Sequence, residues 1–252
     1  MQHLICTRNQ MLLFSGGRDL EMRIDKYMSM TGIYPRRETA RLLAAGRITV
    51  NGEVCGKNTA VEPEDLVAVD GNPVSLTVQE KVYLALNKPV GITCTAAPGV
   101  EGNIIDYINY PSRIFAVGRL DKHSEGLILL TSDGDIVNKM MRSENQHEKE
   151  YLVTVDKPVT GSFLEAMSAG VAILGTVTKP CATYPVAERQ FGIILTQGLN
   201  LQIRRMCKEL GQRVLRLERT RIMNITMDGL ERGAWRHLTG QELDRLKHSL
   251  NA

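Results

Sequence analysis

This chain has little of what the common metal, cofactor and hydrolase chemistries need. Its five cysteines, Cys6, Cys55, Cys94, Cys181 and Cys207, are odd in number and form no Cys-x-x-Cys pair. A disulfide framework and a thiolate zinc site are therefore not expected, and a reducing cytoplasm is the expected setting. The five histidines, His3, His123, His147, His237 and His248, show no His-x-x-x-His spacing, and Asp133-Gly134-Asp135 does not continue into a twelve-residue calcium loop. No metal is expected. There is no Gly-x-x-x-x-Gly-Lys-[Ser/Thr] loop and no Gly-x-Ser-x-Gly elbow, so phosphate-loop and serine-hydrolase chemistry have no footing. No apolar run approaches the roughly 18–20 residues of a membrane span, and no membrane partner is expected. At the N-terminus "LIC" and "MLLF" are broken by Thr7, Arg8 and Asn9, a poor signal peptide. Residues 1–21 read as a tail, with Met22 as an alternative start.

What is present is the composition of a globular protein, 43% hydrophobic and 23% charged over 252 residues, enough for one large or two unequal domains. Net charge is only +3, so its distribution matters more than its total. From Met22, "RIDKYMSMTGIYPRRETARLLAAGRITVNGEVCG" reads as two short helices and a hairpin. Gly46 stops the second helix, and Asn51-Gly52 is the strongest two-residue hairpin signal. Residues 23–57 hold seven basic side chains against three acidic ones, while residues 58–70 hold four acids and no base. Segregated charge of this kind lets one face meet phosphate, with Arg36, Arg37, Arg41 and Arg47 as the candidate contacts. The plain alternative is a solvated helix face.

Residues 71–81 read as a linker, so the expected domains are 22–70 and 82–250. The second begins with the strand "VYLALNK" and a turn at Lys88-Pro89-Val90-Gly91. "EGNIIDYI" reads as a helix. Thr131, Ser132 or Asp133 caps a helix with Ile136, Val137, Met140 and Met141 toward a core. "EKEYLVTV" and "FGIILTQG" read as strands, "GSFLEAMSAG" and "LQIRRMCKEL" as helices, and "VLRLERTRIMNITM" as a strand. Mixed elements without βαβ alternation predict an α+β fold rather than a doubly wound sheet.

The chemistry-bearing stretch is "VGRLDKHSEGLILLTSDGD", which sets Arg119 and Asp121 directly before an apolar strand. This is either a structural ion pair at a strand entrance or a catalytic carboxylate on a loop. A glycosidase pair of Asp121 and Glu125 is disfavoured, because two carboxylates four apart on one segment do not fix the separation across a sugar. Tyr151 in an apolar strand is by default core, and Arg204 by default a surface helix arginine. Residues 204–221 carry seven bases against Glu209 and Glu218, a candidate phosphate-binding rim.

Four motifs in order carry a resemblance. "GRLDKHSEGL" resembles the Gly-Arg-Leu-Asp signature of the pseudouridine synthases. "LNKPVGI" resembles their Lys-Pro segment, "KEYLV" their tyrosine motif and "QIRRM" their arginine motif. The segment from Met22 resembles an S4 RNA-binding module. Together they resemble the S4-bearing RsuA/RluB/RluF group, nearest its RluF branch. That implies an S4-like module followed by a catalytic domain with a mixed, mostly antiparallel sheet, which isomerises a uridine of ribosomal RNA, large-subunit (23S) first. Small-subunit rRNA or a tRNA anticodon loop is the alternative, and a non-catalytic assembly factor the rival from another class. The resemblance makes Asp121 catalytic, places Tyr151 against the flipped base, and pairs Arg204 with Asp121. Arg119, Lys88, Asn200, Gln202 and Arg205 become RNA contacts. No cofactor is implied, and a monomer is expected. One departure stands out: the family's run reads Asn-Arg-Gln-Ile-Arg-Arg-Met, and here Leu201 replaces its first arginine.

Overall fold

The structure is a computed structural model. It describes residues 22–34, 36–76, 80–97, 99–141 and 147–251. The tail expected over residues 1–21 lies outside them. The chain divides between Glu80 and Lys81 into two compact units.

The first unit contains β1 (Met22–Arg23), α1 (Ile24–Met30), α2 (Arg36–Ala44), β2 (Ile48–Val50), β3 (Glu53–Val54), β4 (Ala60–Val61), β5 (Val67–Val69) and β6 (Asn72–Pro73). Strands pair antiparallel in the order β3-β2-β5-β6, with β1 on β4. The expected two helices and hairpin are there. Asn51 and Gly52 both take positive φ, 53° and 88°, as a tight hairpin turn needs. Ile24, Tyr27 and Met28 of α1, Leu42 of α2 and Ile48, Val67 and Val69 of the sheet form one core.

The linker expected over 71–81 needs correcting at its start. Asp70 and Gly71, at φ 51° and 77°, form a second hairpin turn that returns the chain as β6. Val74 and Leu76 then enter the core, and the Tyr27 hydroxyl donates to the Val74 carbonyl at 3.0 Å. The first unit's packing therefore runs past residue 70.

The second unit contains β7 (Tyr83–Lys88), α3 (Ile104–Ile108), β8 (Phe115–Val117), β9 (Glu125–Thr131), α4 (Gly134–Met141), β10 (Lys149–Val155) and α5 (Gly161–Ala169). It continues with β11 (Ala172–Ile173), β12 (Thr176–Val177), β13 (Ala182–Ala187), β14 (Gln190–Leu195), α6 (Gln202–Glu209), β15 (Val214–Ile222), β16 (Ile225–Thr226), β17 (Trp235–His237) and α7 (Gly240–Asn251). The main sheet runs β13-β14-β10-β15-β9-β7-β17, with β8 also on β9 and β16 on β15. Only β9 and β15 pair in parallel, so the sheet is mixed and mostly antiparallel.

Strands β7 and β9 are buried along their whole length because helices cover both faces. Alternate side chains serve opposite layers, as a period of two dictates. Leu84, Leu86, Ile128 and Leu130 pack with Ile104 and Ile108 of α3. Ala85, Leu127 and Leu129 pack with Ile136 and Met140 of α4 and Leu246 and Leu250 of α7. Each such leucine or isoleucine contributes about 1.5–3 kcal/mol when removed from water. Beside the α3 cluster, Val153, Phe191, Ile193 and Leu217 pack under α5 and α6. Asn103 caps α3 by accepting from the Ile105 and Asp106 amides at 3.1 and 2.9 Å. The stripe expected on α4 is narrower than four residues: Met141 is exposed, and only Ile136 and Met140 are fully buried.

Candidate active site

The loop from Gly118 to Ser124 joins β8 to β9 and carries Asp121. Its backbone is held from all sides. The Arg119 carbonyl accepts from Arg219 Nη1 at 3.4 Å. The Leu120 amide donates to Cys94 Sγ at 3.4 Å, and the Leu120 side chain is buried in the α3 cluster. The Asp121 carbonyl accepts from the Ser124 amide at 3.0 Å, and the Lys122 carbonyl from the Gly91 amide at 2.8 Å. The His123 carbonyl accepts from Arg204 Nη2 at 3.0 Å. The half-buried Asp121 carboxylate, by contrast, has no hydrogen bond or ion pair among the described residues.

Beneath the loop, sheet register sets a row of residues side by side. Lys88 of β7 pairs with Gly126 of β9, Gly126 with Arg219 of β15, and Arg219 with Tyr151 of β10. By alternation this row shares the face that carries Leu86 and Ile128. The Tyr151 ring is half-buried and packs against both clusters on that face, at the seam between them. It can present a flat surface to a base without leaving its strand.

Gly126 is the glycine of the Asp-x-x-x-x-Gly spacing, and its reason is visible. A Cβ there would lie 2.3 Å from the Arg219 carbonyl oxygen, and its φ is 101°. Only glycine lets β9 and β15 approach so closely.

The pairing expected between Arg204 and Asp121 is not what the structure contains. The Arg204 guanidinium donates to the carbonyls of His123 and, at 3.4 Å, Val214. It holds the loop two residues beyond Asp121 rather than the carboxylate itself. Glu125, the other carboxylate of the motif, is buried and taken by Arg216 and by Arg232, the latter at 3.1 Å. It is a structural anion, which closes the glycosidase reading.

Two expected RNA contacts are also corrected. Lys88 is 0% exposed. Its ammonium donates to the carbonyls of Pro89 and Ile92, both at 2.9 Å, and so shapes the turn. Burial lowers its pKa from the ordinary lysine value. Gln202 is buried and closes the turn before α6, its Oε1 accepting from the Leu199 amide at 2.9 Å. Neither side chain is open to RNA.

The remaining candidates stay at the surface. Arg119 is exposed beside Asp121. Arg205 folds back on Asn200, donating to its carbonyl at 3.1 Å and its side-chain oxygen at 3.3 Å. Leu201 stands at the N-cap of α6 with φ 52°, a left-handed backbone that costs a β-carbon-bearing residue about 1–2 kcal/mol. In the first unit Arg37 and Arg41 are exposed on α2, while Arg47 grips Asp70 with two nitrogens. The Arg36 side chain lies outside the described residues.

Arg219 was expected only as one of the seven bases of the 204–221 phosphate rim, and at 2% exposure it is not open to phosphate. Its signal was a basic residue in phase with Leu217, on the inward side of an otherwise amphipathic strand.

Comparison with known proteins shows the family. The family model for RNA pseudouridylate synthase matches residues 82–209, and that for the S4 domain residues 22–67. The chain is 50% identical over 226 residues to the dual-specificity RNA pseudouridine synthase RluF of Escherichia coli K12, covering 89% of this chain and 78% of that protein. It is 33% identical over 229 residues to the ribosomal small subunit pseudouridine synthase A of Yersinia pestis, covering 88% and 97%. A crystal structure of a pseudouridylate synthase superposes with a TM-score of 0.66 at 27% identity, over 89% of this chain and 99% of that one.

Proposed function

The chain belongs to the RNA pseudouridylate synthase family and is a pseudouridine synthase acting on RNA, and from that premise we propose that it isomerises a uridine of large-subunit (23S) ribosomal RNA at Asp121. The observation that carries the site is a loop held through the carbonyls of Arg119, Asp121, Lys122 and His123 while the Asp121 carboxylate has no hydrogen bond or ion pair among the described residues. A catalytic carboxylate must keep its lone pairs for the substrate, and here they are free.

The target uridine leaves its stack and lies against Tyr151, which lends a flat face. The Asp121 carboxylate acts on the sugar, by attack at C1′ or by removal of a C2′ proton, as the C1′–N1 bond breaks. The base turns, and the C1′–C5 bond forms as the Asp121–C1′ bond breaks or the C2′ proton returns from Asp121; the C5 proton then leaves with Tyr151 taking part, and N1 takes up a proton. Nothing is gained or lost overall, so no cofactor, metal or energy source enters. The S4 module supplies phosphate contacts, with Arg37 and Arg41 exposed for them, and the pocket supplies choice of base. The reading includes a cytoplasmic, monomeric enzyme. A second RNA, with a tRNA anticodon loop as candidate, is supported by the name of the 50% identical relative, which is called dual-specificity.

Two measurements test this. Pseudouridine mapping of 23S rRNA and tRNA from cells with and without the protein should show one or more sites disappear, and unchanged maps would refute the substrate. Asp121→Asn should bind RNA like the parent yet release no tritium from C5-labelled uridine in a transcript. Near-parental release would remove Asp121 from the chemistry.

A further inference from the structure

Arg219 lies outside the residues matched by the synthase family model, 82–209. It is nonetheless buried in the row beneath the catalytic loop, at 2% exposure, beside Lys88 at 0%. Its Nε donates to the Leu127 carbonyl at 2.7 Å and its Nη1 to the Arg119 carbonyl at 3.4 Å. Its Nη2 is buried with no partner. No carboxylate forms an ion pair with it among the described residues.

Burying a guanidinium is costly even when it is fully bonded, and an unpartnered buried N–H adds to the cost. The neighbourhood makes matters worse. Lys149 has its pKa lowered, first by burial and then by the charge of Arg219. Lys88 is another buried cation on the same row. A methionine at this position would fill similar space without the charge. So stability does not account for an arginine here, whereas the position of the loop does. Arg219 and Arg204 together hold the carbonyls of Arg119 and His123, which stand two residues before and two residues after Asp121. Arg204 reaches its carbonyl from α6, and Arg219 reaches the other from β15, whose backbone lies close against β9 at Gly126.

We propose that Arg219 is a positioning residue for Asp121, kept at a cost in stability, which clamps the N-terminal side of the catalytic loop as Arg204 clamps the other side. This rests on the reading of Asp121 as catalytic. Arg219 touches no reacting atom, and its effect passes through the Arg119 carbonyl to the carboxylate.

The test compares Arg219→Met and Arg219→Lys in the full chain, with the parent and Asp121→Asn alongside. Single-turnover pseudouridine formation, RNA affinity and thermal melting are read for each. Arg219→Met should melt at the parental temperature or above it, bind RNA within about threefold, and lose about a hundredfold in single-turnover rate, the loss that about 1 Å of misplacement causes. Arg219→Lys keeps the charge but not the planar two-carbonyl grip, so it should also slow the reaction, by about tenfold or more, at unchanged affinity. Parental rate in Arg219→Met would overturn the proposal. If Arg219→Met proves too unstable to assay, Arg219→Lys decides: a slow, well-folded, RNA-binding variant supports positioning, and a parental rate overturns it. Failure of the parent to form pseudouridine, or activity in Asp121→Asn, would count against the site reading instead and is seen separately.

Discussion

Replacing Gly126 by alanine places a methyl carbon 2.3 Å from the Arg219 carbonyl oxygen, 2.7 Å from its amide nitrogen and 3.0 Å from its carbonyl carbon. All three atoms are backbone in a paired strand, so none can swing aside as a side-chain tip would. Strands β9 and β15 must part by roughly an ångström, at a cost of the size seen for overpacked interiors, about 1–3 kcal/mol. The residue also sits at φ 101°, which adds strain of about 1–3 kcal/mol for a residue with a β-carbon. The two costs together come to about 2–6 kcal/mol. At about 2–4 °C per kcal/mol for a domain of this size, the melting temperature should fall by at least about 4 °C and by as much as about 24 °C.

Gly134→Ala is the matched control. Gly134 opens α4, has ordinary φ, and meets nothing within 4 Å of a built Cβ. Alanine there should be neutral or stabilising by up to about 1 kcal/mol through helix propensity. Calorimetry or circular-dichroism melts of the two variants beside the parent give the answer. If Gly126→Ala melted within about 2 °C of Gly134→Ala, the close parallel contact of β9 with β15 would be wrong.

Two further outcomes follow from the same geometry. Arg204→Lys can keep a single donor on the His123 carbonyl but loses the second contact to Val214, so single-turnover rate should fall by about tenfold to a hundredfold with RNA affinity nearly unchanged; a parental rate in a quench experiment would show that the clamp does not set Asp121. On the far side of the unit, the Arg236 guanidinium holds both oxygens of Glu242 at 2.8 Å and brings that carboxyl down to about 2. A depressed carboxyl contributes stability above its unfolded value of 4.5 and loses it as pH falls toward 2, so Glu242→Gln should cost about 1–2 kcal/mol at pH 7 and almost nothing near pH 2, which urea melts at the two pH values would check.

The parts of this molecule written in residue type and period were readable from the chain. The apolar run Leu127–Leu130 could only be an inner strand, Asn51-Gly52 could only turn tightly, and Gly46, at φ 64°, ended its helix as expected. Asp70-Gly71 is the same turn chemistry in a weaker form, and reading it as the start of a linker moved the first unit's edge short of Val74 and Leu76. The larger gap concerns backbone acceptors. A sequence displays side chains, so a basic residue near an acidic one suggests an ion pair between them. Arg204, Arg219 and Lys88 all bond to carbonyl oxygens instead, and every residue carries one of those. The contact of Arg219 with Leu127 joins positions 92 apart through a parallel pairing, and nothing local in either strand announces that register.

That preference for carbonyls has a chemical reason at this site. An arginine bonded directly to the Asp121 carboxylate would place it well, but it would occupy the oxygens that must meet the sugar and would stabilise the resting enzyme as much as the transition state. Holding the peptide groups on either side fixes the direction of the Cα–Cβ bond and leaves the oxygens free. The remaining freedom is two side-chain torsions, χ1 and χ2, which the bound nucleotide can settle at small entropic cost. The clamp also explains the division between the two carboxylates of one motif. Glu125 begins β9 and is buried under Arg216 and Arg232, so its charge is spent on holding the strand end. Asp121, four residues earlier on the loop, is the one anion in the stretch whose position is fixed through its backbone and whose charge remains available.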